Sequence, residues 1–178
     1  MRYAAFLRAI NVGGHTVAMA RLREALAPLG LEGLQTVIAS GNVLFASPEE
    51  DAAALEGAME RALGEGLGFE VAVFIRSQAE VEGIARYRPF GEGAEEADGV
   101  RLHIAFTRAE PGEEARAALE AVQTEDDRLR VHGREVYYLR RGGLHDAPVS
   151  GVWLERTLGM PATMRAATTV RRIAARWT

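Results

Sequence analysis

The residues best suited to bind a ligand lie in the run Arg8-Ala9-Ile10-Asn11-Val12-Gly13-Gly14, between a predicted strand and a predicted helix. Backbone N–H groups of a glycine turn at a helix N-terminus can bind an anion, and the helix dipole favours negative charge there. Arg8 is an internal charge on an otherwise apolar strand, and its guanidinium can hold a phosphate or carboxylate in bidentate fashion. The run therefore predicts a site for a small anionic ligand, with candidate contacts Arg8, Asn11, Gly13, Gly14 and His15.

The same run also has a purely structural interpretation as a tight strand-to-helix turn. Asn11 would then bond to nearby backbone, and Arg8 would pair with a buried carboxylate. The run lacks the third glycine of a Rossmann motif, and it lacks the Walker pattern of a P-loop. Both interpretations stay open at the level of sequence.

A second motif, Ser40-Gly41-Asn42, contains the only other asparagine of the chain. Gly-Asn suits a two-residue hairpin turn, so a turn is the first interpretation and a share in the binding site is the second. We take strands one and three of the predicted unit as parallel neighbours. A strand of about seven residues, at about 3.3 Å each, would then place Asn11 and Asn42 at opposite ends of the sheet. We predict that these two side chains do not contact each other.

Composition excludes several kinds of chemistry. The 178-residue chain has no cysteine, and all 21 of its lysine-plus-arginine residues are arginine. Cysteine nucleophiles, thiolate zinc sites, Schiff-base chemistry and the P-loop lysine are therefore excluded. The histidines show no metal-ligand spacing, and no GxSxG nucleophile elbow is present. We expect no metal and no cofactor, and we expect binding rather than catalysis, with an enzyme of unknown class as an open alternative.

Single-stranded RNA binding is a further alternative. Alternation places Phe6 and Arg8 on one face of strand one, and Phe45 lies on the neighbouring strand three. Ferredoxin-like RNA-binding domains stack bases on aromatics of these two strands. The formal net charge of −4 and an aromatic content of 7% argue against this function, and burial in the core is the structural interpretation of both rings.

The elements that position the first two motifs follow the order β-α-β-β-α-β, the order of a split β-α-β or ferredoxin-like unit. The second helix is predicted to begin at Ser47, because Ser47-Pro48-Glu49-Glu50 has the pattern of a capping box with proline at the first helical position. The predicted strands are residues 3–10, 34–39, 43–45 and 69–75, and the first helix is residues 19–29.

The second half repeats the order of the first. Ser77-Gln78-Ala79-Glu80 predicts another capping box, and residues 91–99 read as an acidic, glycine-rich linker. A strand, a helix, a hairpin at 132–134, a helix at 150–158, a strand at 163–165 and a last helix capped by Thr169 follow. We predict an α+β protein of two tandem ferredoxin-like halves, with antiparallel or mixed sheets and an internal duplication. The predicted domains are residues 1–76, a helix and linker at 77–99, and residues 100–178.

Three motifs, at residues 8–14, 40–45 and 154–163, resemble the bacterial family known as domain of unknown function 1697. The resemblance covers nearly the whole chain. It implies an α+β fold with ferredoxin-like halves and no established activity. The family usually continues with arginine, asparagine, tryptophan, asparagine and threonine, where this chain has Arg165-Ala166-Ala167-Thr168-Thr169. Arg165 is therefore a secondary candidate, with Ser40, Gly41 and Asn42. If the segment binds a ligand in relatives, the change at Ala166-Ala167-Thr168 predicts weaker binding, binding of a different ligand or loss of the site here.

No apolar run is long enough for a signal peptide or for the ~18 residues of a membrane span. We expect a cytoplasmic protein without membrane association, and a homodimer is compatible with the sequence.

Overall fold

Runs of apolar residues form the strands of two four-stranded antiparallel sheets. The computed structural model describes residues 1–8, 10, 17–37 and 41–177. Over these residues the chain has eight strands and six α-helices, and it divides into two compact units. The first unit is Met1–Ile84 with Arg172–Thr178, and the second is Ala85–Arg171.

The first unit has the predicted order of elements. Its strand order is β2-β3-β1-β4, and all neighbouring strands are antiparallel. One face of the sheet packs against two helices through residues such as Tyr3, Phe45 and Met59, which are almost fully buried. The elements are β1 (Arg2–Leu7), α1 (Met19–Leu26), β2 (Glu32–Val37), β3 (Asn42–Ala46), α2 (Ala52–Leu67), β4 (Val73–Ser77) and α3 (Gln78–Arg86).

Three local predictions for the first unit are wrong. The second helix begins at Ala52 rather than beside Pro48, because the Asp51 carboxylate accepts the amides of Ala53 and Ala54. Val37 pairs with Asn42, so residues 38–41 connect β2 to β3, and the predicted two-residue Gly-Asn turn is not formed. Strands β1 and β3 are antiparallel, not parallel. The capping box at residues 77–80 is confirmed, since Glu80 accepts the Ser77 amide and Ser77 Oγ accepts the Glu80 amide.

The second unit has the strand order β6-β7-β5-β8, again with antiparallel neighbours throughout. Ser150 caps its second helix by accepting the Trp153 amide. Thr169 lies inside the last helix, so the prediction that Thr169 caps this helix is wrong. The elements are β5 (Val100–Phe106), α4 (Glu113–Ala121), β6 (Asp127–His132), β7 (Glu135–Arg141), α5 (Gly151–Leu158), β8 (Thr163–Ala166) and α6 (Ala167–Ala174).

Side chains from helix α2 and from the segment after α4 accept hydrogen bonds from amides of the outer strands. Strand β4 is an outer strand of the first sheet. On it, the amides of Val73 and Ile75 donate hydrogen bonds to Glu60 and Glu56 of α2, at 2.9 and 2.8 Å. In the second unit Gln123 accepts the Leu129 amide of the outer strand β6 at 2.9 Å. Occupied edge amides protect a sheet from pairing with another strand.

Candidate functional site

The described residues at the start of the first asparagine motif and at Gly41-Asn42 of the second lie at one end of the first sheet. The Leu7 amide donates to the Gly41 carbonyl at 2.8 Å, and Phe6 lies opposite Asn42. Because β1 and β3 are antiparallel, the last residues of β1 adjoin the first residues of β3. The prediction that the motifs lie at opposite ends of the sheet is therefore wrong.

Five of the candidate residues lie outside the described residues: Asn11, Gly13, Gly14, His15 and Ser40. The absence of contact between the Asn11 and Asn42 side chains stays a prediction, although the parallel arrangement of strands on which it was based is wrong.

Gly41 and Asn42 hold the end of the sheet together. Asn42 is 1% exposed, and its Nδ2 donates to the Val37 carbonyl at 3.0 Å, across the connection between β2 and β3. Gly41 has a φ of +76°, and a Cβ there would lie 2.9 Å from Cγ1 of Ile10. A side chain at position 41 would be strained in both conformation and space. The structural interpretation of these two residues is favoured by this geometry.

Arg8 is exposed at this same end, and its backbone amide donates to the Ala72 carbonyl at 2.8 Å. Helix α1 also begins here. Nη2 of Arg21, in the first turn of α1, donates to the Leu67 carbonyl at 3.2 Å, and Leu67 ends α2 just before β4. Val73 of β4 pairs with Leu7 of β1. The N-terminus of α1 and the end of β1 are therefore on one side of the unit.

Among the residues that the structure describes, no side chain caps the start of α1, and its first turn has no acidic residue. The first amides of a helix carry partial positive charge and lack intrahelical acceptors. Together with the exposed guanidinium of Arg8, they give this end of the unit the chemistry that favours an anion.

Arg165 has a different environment, in the second unit. It is 9% exposed, and its Nη1 donates to Thr163 Oγ1 at 2.8 Å and to the Met164 carbonyl at 2.9 Å. Burial lowers the pKa of Arg165 to about 10. Arg76 is the second-last residue of β4, as Arg165 is of β8, and it is 1% exposed. Its Nη1 donates to the carbonyl of the preceding residue, Ile75, as that of Arg165 does to Met164. This match favours a role in the fold for Arg165.

The aromatic pair predicted for RNA does not form a platform. Phe45 pairs with Tyr3 and stacks on it at 5.5 Å in the helix-facing core, whereas Phe6 is an odd number of residues from Tyr3 and projects to the opposite face. Phe6 and Phe45 are 0% and 3% exposed. Their structural interpretation as core residues is therefore the better one.

Comparison with known proteins identifies the family. The family described as protein of unknown function DUF1697 matches residues 1–137. The chain belongs to this family. The matched region includes the motifs at 8–14 and 40–45, so the resemblance predicted from them is confirmed.

A solved structure shares the fold of this DUF1697 protein. The conserved bacterial protein SP0830 from Streptococcus pneumoniae is 26% identical in sequence, with a TM-score of 0.76 over 99% of this chain and 98% of that chain. No curated protein matches the sequence. Among the described residues, no helix is long and apolar enough to cross a membrane, and no group of three acidic or histidine side chains could hold a metal ion.

The DUF1697 chain also contains a buried polar cluster that the sequence did not predict. Arg140 Nη1 donates to Asp127 Oδ1 at 2.5 Å, Tyr138 donates to the same oxygen, and Thr124 Oγ1 donates to Asp127 Oδ2 at 3.1 Å. Burial acts to raise the pKa of Asp127, but these hydrogen bonds outweigh burial and hold it below its usual range. Both residues are present in the sequence, but only the register of the β6–β7 hairpin shows that Asp127 lies opposite Arg140.

Proposed function

We propose that this DUF1697 protein binds a small anionic ligand, bearing a phosphate or carboxylate, at the end of the first sheet where β1 finishes. The observation that carries this proposal is the convergence of the two motifs at that end. Arg8 and the first amides of α1 supply positive charge from the described residues. The residues expected from the sequence to complete the site are Asn11, Gly13, Gly14 and His15.

We also infer that the two units are ferredoxin-like repeats produced by an internal duplication. The strand orders β2-β3-β1-β4 and β6-β7-β5-β8 are identical once matching strands are aligned, and both are antiparallel throughout. A helix directly follows the last strand of each sheet, α3 after β4 and α6 after β8. The domain boundaries at 76 and 99, the cytoplasmic location and a homodimer remain predictions.

A thermal-shift screen tests the ligand proposal, using inorganic phosphate, citrate and nucleoside monophosphates as probes. A ligand at 100 times its dissociation constant raises the free energy of unfolding by about 2.7 kcal/mol. We expect Arg8→Ala to weaken the binding of any stabilising anion at least about tenfold, because one charge-assisted hydrogen bond contributes about 1.5–3 kcal/mol. Arg8 is exposed, so the variant should fold normally.

Arg2→Ala is the matched control, because Arg2 lies at the other end of the same strand and is also exposed. Arg2 lines a separate cleft of about 260 Å³ with Gln35, Arg176 and Trp177. We expect this variant to retain the affinity of the parent. Loss of binding in Arg2→Ala with full binding in Arg8→Ala would place the anion in that cleft and refute the proposed site.

A further inference from the structure

Strand β6 carries a row of cationic and planar side chains on one face. Arg128, Arg130 and His132 are exposed at every second position of the strand, whereas the alternate positions are buried at Asp127 and Leu129 and half-buried at Val131. Residues two apart on a strand are about 6.6 Å apart. Because β6 is the outermost strand of its sheet, this row lies along the edge of the second unit.

Two aromatic residues that follow α3, Tyr87 and Phe90, contact the side chains of His132 and Arg128 in this row. Tyr87 stacks on the His132 ring at 4.4 Å between centroids with an interplanar angle of 22°, and its edge meets Tyr137 at 5.1 Å. The Phe90 ring lies 4.8 Å from the guanidinium carbon of Arg128. Residues 87–90 therefore run beside β6, and each stack ends in an exposed planar group, the His132 imidazole or the Arg128 guanidinium.

The two arginines of this row differ from four other arginines of the second unit. Arg140, Arg141 and Arg171 are each paired with a carboxylate, and so is Arg116. Among the described residues, neither Arg128 nor Arg130 forms an ion pair, and His132 has Tyr87 as its ring neighbour. Unpaired cations beside planar groups can bind a phosphate backbone and its bases together.

We propose that β6 and residues 87–90 bind single-stranded nucleic acid. One base stacks on the outer face of the His132 imidazole, a second stacks on the Arg128 guanidinium, and the phosphates between them contact Arg130. The two platforms are about 13 Å apart, four residues along the strand, with Arg130 midway. This site lies in a different unit from the anion site at Arg8 and does not depend on it.

The formal net charge of −4 limits the expected affinity. With only about two or three phosphates contacted, the logarithm of the binding constant should fall with the logarithm of salt concentration with a slope of about −1 to −2. Binding is therefore best measured at low ionic strength.

Fluorescence anisotropy of the full-length protein with labelled oligouridylate RNA of about ten nucleotides tests the proposal. We expect saturable binding that Arg130→Ala weakens, with a smaller salt slope by about one. His132→Ala should weaken binding about fivefold or more, which is the lower limit for loss of one stacked base, and His132→Phe should restore the stacking part. An oligodeoxythymidylate of equal length serves as a second probe, and binding of either strand supports the proposal.

Arg101→Ala is the matched control, because Arg101 is an exposed arginine on β5 of the same sheet. We expect it to bind like the parent. Circular dichroism melting checks that the β6 variants remain folded, as their exposed positions lead us to expect. No saturable binding of either probe, or equal binding by the parent, Arg130→Ala and His132→Ala, would overturn the proposal.

Discussion

The balance between burial and hydrogen bonding at single residues decides which charges of this protein are structural. The Asp127 carboxylate is 6% exposed, and burial alone would favour its neutral form. Bonds from Tyr138, Arg140 and Thr124 reverse that effect, so its pKa is held below the usual range. The same burial and the bond to Asp127 raise the pKa of Tyr138. The cluster therefore contains a carboxylate, a guanidinium and a neutral phenol at physiological pH.

Asp127→Asn should be strongly destabilising. The variant leaves the buried guanidinium of Arg140 without its charge partner, and breaking a buried ion pair typically costs about 3–5 kcal/mol. Since the pKa of Asp127 is lowered by folding, its stabilising contribution is present above about pH 3.9 and is lost as pH falls through the folded value. Urea denaturation should therefore show a large difference from the parent at pH 7 that shrinks below about pH 4.

Asp126→Asn is the control for this comparison. Asp126 pairs with Arg141, but both side chains are more than half exposed. Exposed pairs contribute about 0–1 kcal/mol. Equal losses of stability in the two variants would contradict a special role for the buried cluster.

For single residues, the sequence indicated which polar side chains are unusual better than it indicated what each of them does. It singled out Arg8, which is exposed at the convergent end of the sheet, and Asn42, which is buried and bonded to Val37. It could not separate an exposed from a buried polar residue, because that depends on strand register. For the same reason it did not find the cluster around Asp127, whose members come from different elements.

Close helix packing, at the scale of elements, depends on a single glycine in α2. A Cβ at Gly66 would lie 2.5 Å from Cβ of Ala25 in α1, whereas a Cβ at Gly64 would meet no atom within 4 Å. Arg21 of α1 also bonds the Gly66 carbonyl at 3.4 Å. The two helices are therefore in close contact at Gly66, near the end of α2.

The variants Gly66→Ala and Gly64→Ala separate this packing from helix propensity. Both replacements should raise the free energy of unfolding by about 0.5–1 kcal/mol, because alanine loses less backbone entropy on folding than glycine. Only Gly66→Ala forces α1 and α2 apart, at a typical cost of about 1–3 kcal/mol. In thermal melts we expect Gly64→Ala to match or exceed the parent and Gly66→Ala to fall below it. A Gly66→Ala protein as stable as Gly64→Ala would show that the helices adjust without cost.

Helices and strands were predicted in the correct order, but several boundaries were not. Ser47 and Asp51 both have side chains that can cap a helix, and the sequence pattern favoured Ser47. In the structure Ser47 Oγ accepts the Glu49 amide in a local turn, and Asp51 accepts two amides of α2. Such local hydrogen bonds compete with helix initiation, and tertiary packing decides between them.

Strand direction, at the scale of the whole molecule, follows from connectivity alone. A helix returns the chain so that β2 runs parallel to β1, and a hairpin then reverses β3. Strand β3 must therefore be antiparallel to β1, and the end of one lies beside the start of the other. The sequence supplied the order of elements needed for this deduction, whereas the pairing register and the left-handed conformation of Gly41 required the structure.

The division of the chain into units gives the C-terminal residues a role in the N-terminal fold. The first unit includes the chain from Arg172 onward, although the residues just before it belong to the second unit. Within this segment Ile173 is 0% exposed, and Arg176 and Trp177 line the cleft beside Arg2 and Phe45. Helix α6 therefore begins in one unit and ends in the other.

Ile173→Ala should consequently destabilise the first sheet, whose strands lie between residues 2 and 77. Replacing a buried isoleucine by alanine costs about 2–5 kcal/mol, and we expect the loss to appear as faster hydrogen exchange of the β1 and β4 amides, including Ala5 and Ile75. The neighbouring exposed Arg172 provides the control, since Arg172→Ala in the same helix should change stability by about 0.5 kcal/mol or less. Faster exchange in Ile173→Ala confined to residues 85–171 would contradict the assignment of the chain end to the first unit.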